Sequence, residues 1–78
     1  MALIRDFKEK PKMSPHVHDE VECTYAIFEI GGSSYLQLDT YGLPSSQHRD
    51  TVKQMIQLDA DSVRKLQRVI RRAFPELR

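Results

Sequence analysis

The spacing of apolar residues changes near the C-terminal end of the chain. Over residues 51–58 apolar side chains recur at even spacing, with Gln54 in step, which predicts a half-buried β-strand. The residues in phase are Val52, Ile56 and Leu58. From Asp59 onward the spacing becomes three and four residues, which predicts an amphipathic helix over residues 59–74. Its apolar stripe consists of Val63, Leu66, Val69, Ile70, Ala73 and Phe74. Asp59 is a suitable N-cap, and Pro75 ends the helix.

Two more strands precede this pair. The segment Val21–Ile30 carries apolar side chains on both faces, which predicts a strand that is central in its sheet or covered. Cys23, in this strand, is expected to be a small inward-facing filler. Gly31–Gly32 provides the positive φ of a hairpin turn. The segment Tyr35–Tyr41 then returns with period two and places alternate residues on one face, namely Leu36, Leu38 and Thr40.

The remaining segments complete a β-β-β-β-α order. Apolar residues in Ala2–Lys8 predict a short first strand, and an irregular N-terminus is the alternative. Proline-bearing residues 9–20 predict a loop or mobile arm, and residues 42–50 predict a longer loop. The fold class expected is α+β, with a small antiparallel sheet of three to four strands (residues 21–58) covered by the C-terminal helix. The whole chain, residues 1–78, forms one domain.

Size and composition are typical of a small globular domain without a membrane span. The chain has 78 residues, of which 40% are apolar and 29% are charged. It contains no apolar run long enough for a membrane span, and its charged N-terminus does not resemble a signal peptide. The single Cys23 cannot form an internal disulfide, which fits a cytoplasmic protein. Because so small a domain gains stability from extra burial, we expect a homodimer.

Side chains that could bind a metal or catalyse a reaction are present without a known pattern. A metal site would draw on one loop cluster and two distant residues, namely His16, His18, Asp19, Glu20, Cys23 and His48. The spacing that structural zinc sites use is absent. A nucleophile, base and acid could be assembled from Cys23 or Ser46, His48 and Asp50, but no nucleophile elbow surrounds them. We therefore expect no enzyme activity, no metal and no cofactor.

Charge is distributed unevenly along the chain. In residues 1–12, Arg5 and three lysines oppose Asp6 and Glu9, giving +2. Residues 13–50 carry one arginine against six acidic residues, giving −5, while residues 59–78 carry six cations against three acidic residues, giving +3. The cations of the predicted helix include Arg64, Arg68, Arg71 and Arg72. Such a stripe is either a solvated helix face or a binding surface for phosphate or an acidic protein.

The order of elements and the residues Ile56–Ile70, with the sequence IQLDADSVRKLQRVI, suggest a family. They resemble the single-strand DNA-binding domain of the transcriptional coactivator positive cofactor four. The resemblance implies a homodimer, formed largely through helices and curved sheets, that holds single-stranded nucleic acid with basic and aromatic side chains. By position it implies Lys53 and either Tyr35 or Tyr41 as contacts on the sheet.

We therefore expect a non-enzymatic module that binds single-stranded DNA or RNA as a homodimer in transcription or a DNA-related process. The candidate contacts are Tyr35, Tyr41, Arg49, Lys53, Arg64, Arg68, Arg71 and Arg72. The alternative is a small adaptor subunit whose basic helix binds an acidic protein partner. No contact with a membrane is expected.

Overall fold

Four strands and one terminal helix make up the protein. The computed structural model describes residues 1–77. The elements in chain order are β1 (Ala2–Ile4), β2 (Cys23–Ile30), β3 (Ser33–Tyr41), β4 (Val52–Asp59) and α1 (Ala60–Ala73). This order confirms the predicted α+β class and the β-β-β-β-α arrangement. The first strand is shorter than the sequence predicted, and Asp59 both ends β4 and caps α1.

The four strands form one sheet in the order β1-β4-β3-β2. The pairs β2–β3 and β3–β4 are antiparallel, whereas β1 pairs with β4 in parallel. The predicted antiparallel sheet therefore consists of β2, β3 and β4, and β1 adds a parallel strand that makes the whole sheet mixed. A long arm and two strands separate β1 from β4, so no tight turn requires these strands to be antiparallel. The expectation that β2 is central or covered was wrong, because β2 lies at the sheet edge and most of its residues are exposed.

The hairpin between β2 and β3 follows the predicted glycine turn. Gly31 and Gly32 have φ angles of +59° and +80°. Two consecutive positive φ values suit the tight turns whose twist matches antiparallel strands, and glycine adopts them without a steric cost. The turn sets a register that pairs Ile30 with Ser33 and Tyr25 with Leu38.

A reciprocal cap starts the helix directly from β4. The Ser62 backbone N–H donates to Asp59 Oδ1 at 2.9 Å, and the Asp59 backbone N–H donates to Ser62 Oγ at 2.9 Å. This capping box satisfies two backbone donors at the junction, and Ser62 is fully buried. At the other end, the Phe74 N–H donates to the Ile70 carbonyl, and Pro75 follows.

The helix packs against β4 and leaves most of the sheet uncovered. Within residues 1–77, Leu58 of β4 is the buried apolar residue, with 2% of its surface exposed, and Leu66 is half-buried. A side chain in the middle of a single sheet reaches such burial only under another layer, so α1 lies on the face that carries Leu58. The helix that was predicted to cover the sheet therefore covers it mainly at β4. For the same reason Cys23 is exposed and does not fill a core.

Candidate nucleic-acid interface

Strand register divides the sheet into two faces. The helix-side face contains the side chains in phase with Leu58, which include the apolar Ile56, Leu36, Leu38, Tyr25, Ile27 and Cys23 and the polar Glu29, Thr40 and Gln54. The open face contains the alternate set, which includes Tyr35, Gln37, Asp39, Gln57, Phe28 and Ile30. The two faces differ in chemistry, because the helix-side set is mainly apolar and the open set combines amides, aromatic rings and a carboxylate.

The predicted tyrosine contacts are engaged in cross-strand packing. The rings of Tyr35 and Phe28 stack with their centroids 5.6 Å apart. Tyr41 Oη lies 2.9 Å from Thr24 Oγ1 on the neighbouring strand. Both tyrosines are half-buried, so β2 and β3 hold them in place. One side of the Tyr35 ring is therefore occupied by a protein ring, which reduces the surface it can offer to a base.

Between the tyrosines the open face is polar. Gln57 Nε2 donates to Gln37 Oε1 at 2.9 Å, and Gln37 Nε2 donates to Asp39 Oδ1 at 2.9 Å. This chain of hydrogen bonds ends on a carboxylate. A negative group in the middle of the face disfavours the approach of a phosphate backbone.

The segment between β1 and β2, residues 5–22, is the N-terminal arm, and its first residues lie along the helix. After β1, Arg5 forms an ion pair with the capping carboxylate of Asp59. Lys65 Nζ donates to the Arg5 carbonyl at 3.0 Å and lies 3.8 Å from Asp6. Further along, Arg72 Nη2 lies 3.0 Å from Glu9 Oε1. Because β1 and β4 run in parallel, their continuations leave the sheet at the same end, and the arm meets the helix there.

This contact joins two basic segments that are far apart in the sequence. Lys8 of the arm and Arg72 of the helix line one groove, together with the apolar Phe7, Val69 and Ala73 and with Glu9. The groove has a volume of about 540 Å³. Arg68 lies one turn before Arg72, and Arg71 precedes Arg72 directly, so both extend the positive area. We call Lys8, Arg68, Arg71 and Arg72 the basic surface.

The cations of this region differ in their ion pairs. Arg64 and Lys65 lie 3.5 and 3.6 Å from the carboxylate of Asp61, and Arg72 contacts Glu9. Within residues 1–77, Arg68 and Arg71 form no ion pair. Exposed ion pairs contribute little stability, but a cation without one loses no intramolecular partner when it binds a phosphate. Arg68 and Arg71 are therefore the strongest candidates for contact with an anion.

The eight residues predicted from the sequence occupy separate places. The four arginines lie on the helix, and the tyrosines lie on the open face of the sheet. Arg49 lies in the β3–β4 loop beside the acidic Glu22 and Asp50, while Lys53 is exposed on β4. The structure does not bring all eight into one site, because the sheet separates its open face from the helix.

Sequence reasoning missed the contribution of the arm. Phe7, Lys8 and Glu9 fell at the boundary between a predicted strand and a predicted loop, where no periodicity indicated a neighbour. The +2 charge of residues 1–12 was the available signal. It showed a basic segment, but only the parallel pairing of β1 with β4 places that segment against the helix.

Asp59 is the titratable group in this region whose environment clearly changes its acidity. The hydrogen bond from the Ser62 backbone N–H lowers the pKa of Asp59 below its ordinary value, against an opposing effect of desolvation. The Ser62 hydroxyl and the Arg5 guanidinium lower it further. The carboxylate therefore remains charged to lower pH than an ordinary aspartate, and it links the helix cap to the arm.

Residues 1–77 contain no group of three or more His, Cys, Asp or Glu side chains placed to hold a metal ion. His16 and His18 lie near each other in the arm, with ring centroids 4.4 Å apart. Within the same residues, no helix is both long and apolar enough to cross a membrane.

Comparisons with family models, curated proteins and solved structures found no match for this chain. The resemblance to positive cofactor four therefore stays a sequence-based expectation.

Proposed function

We propose that this protein is a non-enzymatic module that binds single-stranded DNA or RNA through the basic surface. The observation that carries the proposal is the placement of the arm along the helix, which joins Lys8 to Arg68, Arg71 and Arg72. Phosphate neutralisation by lysine and arginine supplies most of the sequence-independent affinity for nucleic acid. A surface built from both basic ends of the chain supplies several such contacts.

The groove within the basic surface favours unpaired strands over duplexes. Its apolar lining, Phe7, Val69 and Ala73, lies directly beside Lys8 and Arg72. An unpaired nucleotide presents an apolar base face beside its phosphate, whereas a duplex keeps its base faces stacked inside. A role in transcription or in another DNA-related process would follow from this preference.

The proposal is tested by fluorescence anisotropy with a labelled single strand and with its duplex, each at two salt concentrations. We expect tighter binding of the single strand. Three to five phosphate contacts give a slope of log affinity against log salt of roughly −2 to −3.5. Absence of binding to either oligonucleotide at low salt would discard the proposal.

A second candidate function is an adaptor whose basic helix binds an acidic protein partner. The same groove favours it, because an apolar side chain flanked by carboxylates would match Phe7 and Val69 between Lys8 and Arg72. A protein partner would be selective, whereas nucleic-acid binding through phosphates would be shared by many sequences. Binding to an acidic peptide with an apolar anchor, but to no oligonucleotide, would favour the adaptor.

A further inference from the structure

The helix-side face continues into an apolar area that one chain leaves exposed. On β2, Tyr25 and Ile27 are 71% and 75% exposed. Their neighbours on β3, Leu36 and Leu38, are only half-buried, because the helix packs on β4. In the second half of the helix, Ile70 and Phe74 are also exposed. We call these six residues the apolar side.

A single copy buries too little of its surface for a domain of this size. Its accessible surface is 7162 Å², whereas a compact monomer of 9.1 kDa has about 4,900 Å². Its radius of gyration is 14.8 Å, against roughly 11–12 Å for a compact domain of this length. The exposed arm contributes to both differences. The arm does not explain why the core is small. Leu58 is the one buried apolar residue of the described chain, including its strands and helix.

We propose that a second copy of this chain covers the apolar side. In this dimer the C-terminal half of α1 of each copy lies on the uncovered β2–β3 half of the helix-side face of the other copy. Both halves of the contact belong to one continuous side of the molecule, so a two-fold axis buries them reciprocally. The inference does not depend on nucleic-acid binding.

The exposed area fits the needs of such an interface. Tyr25, Ile27, Ile70 and Phe74 are each 40–75% exposed, which corresponds to roughly 100 Å² per side chain. With the half-buried leucines of β3, the apolar side offers somewhat less than the ~800 Å² per partner of a standard interface. Backbone and polar atoms at the rim supply the remainder.

The dimer leaves the basic surface accessible. By helical spacing, Arg68 and Arg72 lie on the side of α1 opposite Ile70. A second copy on the apolar side therefore does not cover these two arginines. The homodimer presents two basic surfaces, one from each copy.

Light scattering after size exclusion tests the dimer, on samples without nucleic acid. Ile27→Glu places a charge on the helix-side face, and Ile30→Glu is its matched control. The control lies on the same strand with similar exposure, 66%, but on the open face. We expect about twice the chain mass for the wild type and for Ile30→Glu. For Ile27→Glu, and for Ile70→Glu on the helix, we expect a dissociation constant raised at least tenfold.

The wild type also provides a test that does not depend on whether a variant folds. If folding and association are coupled, its melting temperature rises with protein concentration. A monomeric mass at about 100 µM with a concentration-independent melting temperature would overturn the proposal, even if Ile27→Glu fails to fold. A dimer that survives Ile27→Glu and Ile70→Glu, or one that Ile30→Glu dissociates equally well, would place the contact elsewhere, for example along the edge of β2.

Discussion

Asp59 is the residue at which several local interactions meet. It ends β4, caps the helix through Ser62 and forms an ion pair with Arg5 of the arm. The sequence predicted the cap, because an aspartate between two hydrophobic periods is a recognisable N-cap signal. It did not predict the ion pair, since Arg5 lies 54 residues away and only the parallel strand pairing brings it near.

The lowered pKa of Asp59 predicts how stability responds to pH. A carboxyl that is more acidic in the folded state stabilises the fold above its unfolded pKa, which is about 4. As the pH falls, the unfolded state takes up the proton first. The contribution is then lost as the pH falls through the folded-state value. We expect the melting temperature of Asp59→Asn to fall less steeply than that of the wild type as the pH is lowered from roughly 5 to 2. Parallel profiles for the two proteins would contradict this role.

Leu58 is the buried residue of the small core, although the helix pattern predicted that Leu66 would be buried. The strand residue is covered by α1, whereas Leu66 remains half-buried in one copy. We expect Leu58→Ala to lower the free energy of unfolding by ~2–5 kcal/mol, as for other buried leucines. Urea denaturation would measure this loss, with Ile30→Ala at the exposed edge as the control. Equal effects of the two substitutions would show that the core lies elsewhere.

At the scale of elements, local patterns predicted most of the fold. The Gly31–Gly32 turn, the alternation in β3 and the cap at Asp59 each act over a few residues, and each was confirmed. The position of β2 at the edge and the parallel pairing of β1 depend on distant partners, so no local pattern contained them. The same limit applies to the basic surface, which requires residues 8 and 72 to be neighbours.

The arm is the element whose role in binding is easiest to isolate. Replacing Lys8, Lys10 and Lys12 together by alanine removes its charge and leaves the ion pairs of Arg5 and Glu9 intact. If the arm contributes two or three phosphate contacts, the slope of log affinity against log salt should become shallower by roughly 1.5–2. Anisotropy at several salt concentrations measures that slope. The control is His16→Ala with His18→Ala, beyond the groove, and an equal change in that variant would argue against the assignment.

At the scale of the whole molecule, charge and hydrophobicity separate into distinct regions. Residues 1–12 and the helix are basic, while residues 13–50, which contain the β2–β3 hairpin, are acidic. Ile70 of the apolar side lies across the helix from Arg68 and Arg72. This separation allows one surface for self-association and another for a negatively charged ligand. Composition alone could not show it, because the net charge is only +1.

The most direct test asks which cations bind the ligand. Arg68→Ala with Arg71→Ala removes two charges from the basic surface. Arg49→Ala with Lys53→Ala removes the same charge from the other basic residues predicted as contacts. In anisotropy titrations of a single-stranded oligonucleotide against salt, we expect the first pair to make the slope shallower by about 1.4, because each arginine neutralises one phosphate. The second pair should leave the slope near that of the wild type. Loss of slope in the second pair alone would contradict binding through the arm and helix.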